Sequence, residues 1–289
     1  MNIIDDVKVQ YKIGGIVTQL IFWNVALFVL PWLFFALLSV LGVNIDYIHY
    51  VSLSSNPAHL LWKPWSLLSY AFFHGGIMHI IFNMIVLNFS GRLFMTFFTA
   101  KQLLGLYILS AIFAGISYML VFYVLNISAP IVGASAAIMA ILVATTTYYP
   151  LMDLRLLIIG NVKLWHITSV IIIIDLMQLR SENMGGHISH LAGALFGFIF
   201  IKLLKNGTDL SIIISRIFDF FVNLFKKNKT TPFRKIHKNY SKPVEKTTSR
   251  IIAKDKSQQQ IDEILDKISQ SGYDSLTKEE KEFLFKVGK

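Results

Sequence analysis

The stretch Ile131–Tyr149 reads IVGASAAIMAILVATTTYY, an uncharged run that opens on Gly133-Ala134-Ser135-Ala136. Its length matches the roughly 20 residues that a helix needs to cross a bilayer core. Hydrocarbon offers the backbone no hydrogen-bonding partners, so such a run spans as a helix. Five further runs of the same kind surround it: Ile16–Val43, Met78–Thr99, Leu103–Leu125, Leu164–Leu179 and Ile188–Leu204. The sequence therefore predicts an all-α membrane protein, with six spans in residues 1–205. Composition agrees, since 54% of the 289 residues are hydrophobic and only 15% are charged, too few for the surface of a soluble domain of this size. The absence of cysteine removes disulfides, thiol nucleophiles and cysteine metal sites. The start, MNIIDDVKVQYKIGG, carries acids and has no small-residue cleavage site, so no removable leader is expected.

Charge sets the expected orientation. Lys8 and Lys12 precede the first run, Arg92 and Lys101 lie towards the connection after the second, and Arg155 and Lys163 follow the fourth. From Lys202 onward 19 Lys+Arg stand against 11 Asp+Glu, so the tail holds +8 of the net +10. The opposite loops offer only Lys63 and Arg180. Basic loops stay in the cytoplasm, which places both termini there, and a basic tail beside spans is read as attracted to anionic lipid rather than to nucleic acid. Spans two, four and six then all enter from the outer face. His79, Ser135 and His190 fall in their first turns, roughly 2–6 Å below the helix starts at 1.5 Å per residue.

Outside the spans, the connection Asn44–Ile77 carries Trp62, Pro64, Trp65, Tyr70, Phe72 and Phe73. Trp and Tyr favour the membrane interface, so a loop lying partly in the outer leaflet is expected. Residues 206–227 alternate apolar runs with Ser211, Ser215, Arg216, Asp219 and Asn223, and read as an amphipathic interfacial helix. Residues 228–257 are polar and basic, with Pro232 and Pro243, and read as a flexible linker. Residues 258–289 place Ile261, Ile264, Leu265 and Ile268 at helical spacing before a turn, and predict a small helical hairpin whose second helix opens at Ser275.

Polar side chains in hydrocarbon are costly and mark candidate functional sites. A serine hydroxyl becomes a nucleophile when a neighbouring base takes its proton, and the reaction also needs donors for the oxyanion. Ser135 and His190 are the candidate nucleophile and base. His79 and Asn83, four residues apart, share a helix face and can donate, as can the backbone N–H of Ser135. Gly133 and its alanine neighbours permit close helix approach, and His190, Gly193 and Gly197 share one face of the sixth span with small-residue spacing. Taken singly, each residue has a plainer reading: Ser135 as a packing serine, His190 as a structural histidine, and His79 with Asn83 as a clamp between helices.

Together these residues resemble the bacterial rhomboid intramembrane serine proteases. The likeness rests on His74-Gly-Gly-Ile-Met-His79-Ile-Ile-Phe-Asn83, on Gly133-Ala-Ser135 and on His190-Leu-Ala-Gly193-Ala-Leu-Phe-Gly197, in that order along Ile16–Leu204. The resemblance implies a Ser135–His190 dyad without a carboxylate, an oxyanion hole that includes His79 and Asn83, and substrate helices entering from lipid. It also implies a multi-pass protein of the bacterial inner membrane, and makes His74 a buried structural histidine of the first loop. Ala136 stands where many members have glycine, Trp65-Ser66 where many have Trp-Arg, and Met95 where many have glutamate. The hairpin resembles a short module appended to some bacterial rhomboids.

Membrane-protein substrates and the bilayer are the partners this reading implies, with no cofactor. Asp175 could orient His190, although the resemblance calls for no carboxylate and an interhelical hydrogen bond is the simpler role. His187 with His190, His74 and His79 could in principle ligate zinc, but no His-Glu-x-x-His stretch accompanies them and no metal is expected. Two rivals remain at this level. One is a noncatalytic relative that binds membrane helices, and the other is a small transporter using the histidines as a proton relay.

Overall fold

The computed structural model describes residues 2–156, 160–180, 183–225 and 248–287. They belong to two units, Met1–Lys227 and Asn228–Lys289, taken here one at a time. The first unit begins with α1 (Ile3–Ile13) and α2 (Gly15–Val40). A loop follows, built from α3 (Ile48–Val51), β1 (Leu53–Ser54), a 3-10 turn and α4 (Ser66–Ser69). Then come α5 (Ile77–Met95), α6 (Ala100–Val124), β2 (Pro130–Ile131), α7 (Ser135–Tyr148), β3 (Asp153–Leu156) and β4 (Gly160–Lys163). The unit closes with α8 (Leu164–Met177), α9 (Met184–Lys205) and α10 (Ser211–Phe225), and the second unit holds α11 (Thr248–Ser271) and α12 (Lys278–Val287).

Helices α2, α5, α6 and α9 are long and apolar enough to cross a membrane, and α7 and α8 are shorter apolar helices. The chain is a multi-pass membrane protein with a helical-bundle fold. With 14 residues each, α7 and α8 rise about 21 Å, less than the roughly 30 Å of a hydrocarbon core. The fourth apolar run therefore reaches its full length only with extended chain. Strand pairing at Pro130-Ile131 and the positive φ of +139° at Gly133 keep its first four residues out of the helix.

That extended chain is satisfied from within the protein. Strand β2 pairs antiparallel with β1, matching Leu53 to Ile131 and Ser54 to Pro130. The Ala129 N–H donates to Ser55 Oγ, the Tyr118 hydroxyl donates to the Ala129 carbonyl, and the Gly133 N–H donates to the Tyr70 carbonyl at 2.8 Å. Irregular backbone at membrane depth is tolerated only when protein or a water-filled cavity receives it in this way.

The loop between α2 and α5 is a folded part of the bundle. It buries Leu53, Tyr70, Ala71 and His74, while Trp62 and Trp65 stay exposed. The Tyr70 hydroxyl donates to the Ala111 carbonyl at 2.7 Å, and the Tyr107 hydroxyl donates to the Ala71 carbonyl at 2.8 Å. Asn24 of α2 donates to Tyr107, so one polar chain ties α2, α6 and the loop together.

Helix α7 is the centre of the unit. Every residue from Ala136 to Thr145 is buried, and α5, α6, α8 and α9 pack around it. Its closest neighbour is α9, where a Cβ at Gly193 would lie 2.1 Å from the Ala136 carbonyl oxygen and one at Gly197 would lie 2.2 Å from that of Ala140. Only glycine permits backbones to meet at this distance.

Helix α9 begins four residues before the apolar run that predicted it. His190 is thus the seventh helical residue and not a first-turn residue, roughly 9 Å along the axis. The pair Gly185-Gly186 reads as loop by propensity, but Gly185 packs where a Cβ would lie 2.8 Å from Tyr118, and that contact draws the helix start back.

Helix α10 lies against α6, with Ser211 packed on Gly105 and Asp209 accepting from Gln102 Nε2 at 3.1 Å. Its Ile217, Phe218, Phe220 and Phe221 are exposed. In the second unit α11 is continuous from Thr248, so residues 248–257, expected as the end of a flexible linker, are helical. Residues 228–247 of that expected linker lie outside the described residues. The second helix starts at Lys278 rather than Ser275. Thr277 caps it by accepting from the Glu280 N–H while Glu280 accepts from the Thr277 N–H, and Lys267 pairs with Glu280 at 2.9 Å. Tyr273–Ser275, separated from that cap by Leu276, form a 3-10 turn of their own.

Candidate active site

Ser135 is the first residue of α7, placed there by the turn at Gly133. A Cβ at Gly133 would lie 2.9 Å from His79 Nε2 and 3.5 Å from Ser135 Oγ, so the glycine leaves open the space between those two side chains. His190 reaches the serine across 55 residues of sequence, with Nε2 2.6 Å from Ser135 Oγ. The contact exists because α7 and α9 meet at Gly193 and Gly197, three and seven residues beyond the histidine.

The other ring nitrogen of His190, Nδ1, lies 2.9 Å from Asp175 Oδ1, and the same oxygen lies 2.7 Å from Nδ1 of His187. Asp175 and His187 are both buried. The second carboxylate oxygen, Oδ2, is buried without a hydrogen-bond partner. These three residues bring potential metal-ligand atoms within 4.8 Å of one another. The Nδ1 atoms of the two histidines are already turned to the carboxylate as hydrogen-bonding partners.

His79 lies in the first turn of α5, and its Nδ1 accepts from the Gly75 N–H at 3.4 Å. An accepting Nδ1 leaves the ring proton on Nε2, the nitrogen 2.9 Å from where a Cβ at Gly133 would lie. Asn83 donates from Nδ2 to the His79 carbonyl at 2.9 Å, which uses one of its two amide hydrogens. The backbone N–H of Ser135 belongs to the first turn of α7, where N–H groups have no acceptor within the helix. His79 and Asn83 of α5 and Ser135 of α7 line the same cavity.

His74 is 1% exposed, its ring lies 5.1 Å from that of His79, and neither of its nitrogens has a hydrogen-bond partner. Burial pushes its imidazole down to about 4, and the neighbouring His79 acts in the same direction. It stays neutral at physiological pH.

Ser135, His190, His79, Asn83 and Asp175 all line one cavity of about 640 Å³. Its apolar wall comes from Phe82 and Val86 of α5, Met139 and Leu142 of α7, and Ile171 and Ile174 of α8. Phe82 and Ile174 are also exposed on the outside of the bundle. A cavity with a serine, a base, several donors and an apolar wall can hold an extended peptide and attack its carbonyl.

Two features of the site had no signal in the sequence. The Tyr70 carbonyl holds Gly133 in place through a backbone group that no pattern marks. Asp175 and His187 were visible as polar residues, but their common oxygen depends on the rotation of α8 against α9.

Residues 61–206 match the model of a family described as Rhomboid domain, just over half of the chain. Residues 252–287 match a family described as of unknown function (DUF6576). No curated protein matches the chain.

Proposed function

Because the chain belongs to the rhomboid family, a family of intramembrane proteases, we propose that it is a serine endopeptidase that cleaves membrane proteins at or near their spans. The observation that carries the proposal is the 2.6 Å approach of His190 Nε2 to Ser135 Oγ in a cavity walled by apolar helices. In this mechanism Ser135 Oγ attacks the scissile carbonyl carbon while His190 Nε2 takes the hydroxyl proton. The carbonyl oxygen becomes an oxyanion, and it is met by His79 Nε2–H, the free amide hydrogen of Asn83 and the Ser135 N–H. His190 then gives its proton to the leaving amine, and an acyl-enzyme remains on Ser135. Water enters the cavity and attacks the acyl carbon while His190 takes its proton; the second intermediate then breaks the ester bond, releases the acid product and returns the proton from His190 to Ser135 Oγ. The steps use side chains, one backbone N–H and water.

Access from lipid follows from the cavity wall. A substrate segment would enter between Phe82 of α5 and Ile174 of α8, the lining residues that also face outward. The distribution of Lys and Arg favours both termini in the cytoplasm of a bacterial cell, with the cavity towards the outer face.

The test uses purified full-length protein and a reporter substrate with one transmembrane segment. Wild type cleaves it and carries a fluorophosphonate label on Ser135, whereas Ser135→Ala folds, does not cleave and does not label. A noncatalytic helix-binding relative predicts neither cleavage nor labelling in the wild type. Cleavage retained in Ser135→Ala sinks the assignment.

A further inference from the structure

Resting on the protease reading, we propose that Asp175 is a positioning residue that completes a Ser135–His190–Asp175 relay. If the Ser135 hydroxyl donates to His190 Nε2 at 2.6 Å, that nitrogen carries no hydrogen. A neutral imidazole then has its proton on Nδ1, which lies 2.9 Å from Asp175 Oδ1 and donates to it. The alternative tautomer has its hydrogen on Nε2 and cannot accept from the serine. A carboxylate at Oδ1 therefore selects the one tautomer that can act as a base.

The carboxylate is itself held in place. Its side chain is 6% exposed, and His187, one turn before His190 on α9, donates from Nδ1 to the same oxygen at 2.7 Å. One oxygen thus receives two N–H donors from a single helix face, an arrangement that fixes both the α8 side chain and the imidazole plane. Charge-assisted hydrogen bonds of this kind are about twice as strong as neutral ones.

When Ser135 attacks, its proton moves to Nε2 and the imidazole becomes a cation. The Nδ1 proton stays where it is and Asp175 stays ionised, so the new positive charge forms 2.9 Å from a negative one. Between side chains exposed by only 20% and 6%, this pairing is worth more than it would be in bulk solvent. Collapse of the intermediate breaks the C–N bond as the Nε2 proton passes to the leaving amine, and the imidazole is left neutral beside the acyl-enzyme with its Nδ1 proton still on Asp175.

The experiment measures kcat, KM, the rate of fluorophosphonate labelling and the melting temperature of full-length protein in detergent. Asp175→Asn is expected to lower kcat by about 10²- to 10⁴-fold, with KM changed by less than about threefold. Labelling of Ser135 should slow in proportion while the melting temperature moves little. Thr168→Val is the structural comparison, since its hydroxyl lies 2.6 Å from that of Thr146 and joins α8 to α7 away from the chemistry. It should lower the melting temperature and leave kcat within about twofold.

If Asp175→Asn does not fold, Asp175→Glu against Asp175→Gln, equal in size and different in charge, carries the test, with the glutamate expected to be at least tenfold faster. Two results overturn the proposal. One is a kcat within threefold of wild type for folded Asp175→Asn, and the other is equal rates for the Glu and Gln variants. Failure of the protease reading is scored separately, as a wild type that neither cleaves nor labels.

Discussion

Gly193→Ala tests whether the approach of α9 to α7 builds the site. The added methyl carbon would lie 2.1 Å from the Ala136 carbonyl oxygen, whereas real contacts of this kind are essentially never under 3.0 Å. The obstacle is backbone within a buried helix, so no side chain can swing away. Relief requires the two helices to part by about 0.9 Å, at an overpacking cost of about 1–3 kcal/mol. Gly193 lies three residues from His190 and Ala136 adjoins Ser135, so the displacement falls almost directly on the 2.6 Å contact between them. Lengthened to roughly 3.5 Å, that contact ceases to be a useful hydrogen bond. A misplacement of about 1 Å costs about 10²-fold in rate, so kcat should fall by about two orders of magnitude while the protein remains folded in detergent. The assay compares cleavage of the transmembrane reporter and labelling of Ser135 with Leu195→Ala, which alters an outward-facing neighbour. A folded Gly193→Ala enzyme with wild-type kcat would refute the reasoning, because the helices would then be shown to meet less tightly than 2.1 Å implies.

Three more outcomes follow from the same geometry. Asn83→Ala removes one of the proposed oxyanion donors, and should lower kcat by about 10²- to 10³-fold with little change in KM, read by steady-state kinetics. Gly133→Ala combines an unfavourable φ of +139° with a methyl carbon 2.9 Å from His79 Nε2, so labelling of Ser135 should fall sharply in a protein that still extracts and purifies. His74 has its folded pKa lowered by burial to about 4 from 6.5, so its contribution to stability is complete above pH 6.5 and is lost as pH falls from 6.5 towards 4. The loss amounts to about 3 kcal/mol at most. Melting temperatures measured across that window should decline in wild type and decline less in His74→Leu, and parallel curves would contradict this.

Some of these predictions stand on features legible in the sequence, and others do not. The apolar runs marked the spanning helices to within a few residues at α2, α5, α6 and α8. At α7 and α9 the boundaries moved, for opposite reasons. The pairing of β2 with β1 and a positive-φ glycine delay α7, while close packing at Gly185 advances α9 through residues of poor helical propensity. The loop before α5 read as an interfacial aromatic segment, yet it supplies Tyr70, whose carbonyl fixes the turn ahead of Ser135. Asp175 read as a plain interhelical partner because nothing in its neighbours reveals that it faces two histidines at once.

The sequence alone determined that this is a membrane protein of apolar helices, and which few polar residues those helices carry. Both follow from local physics, since hydrocarbon forces each backbone to satisfy itself within its own segment and makes every polar side chain there conspicuous. Only the tertiary structure decided that Ser135 meets His190 at 2.6 Å, that His190 and His187 share one oxygen of Asp175, and that donors from α5 face the same cavity. Those distances depend on how closely and at what rotation neighbouring helices pack. Contacts between backbones, such as Gly193 on Ala136, set that to within an ångström, and no periodicity along a single chain encodes it.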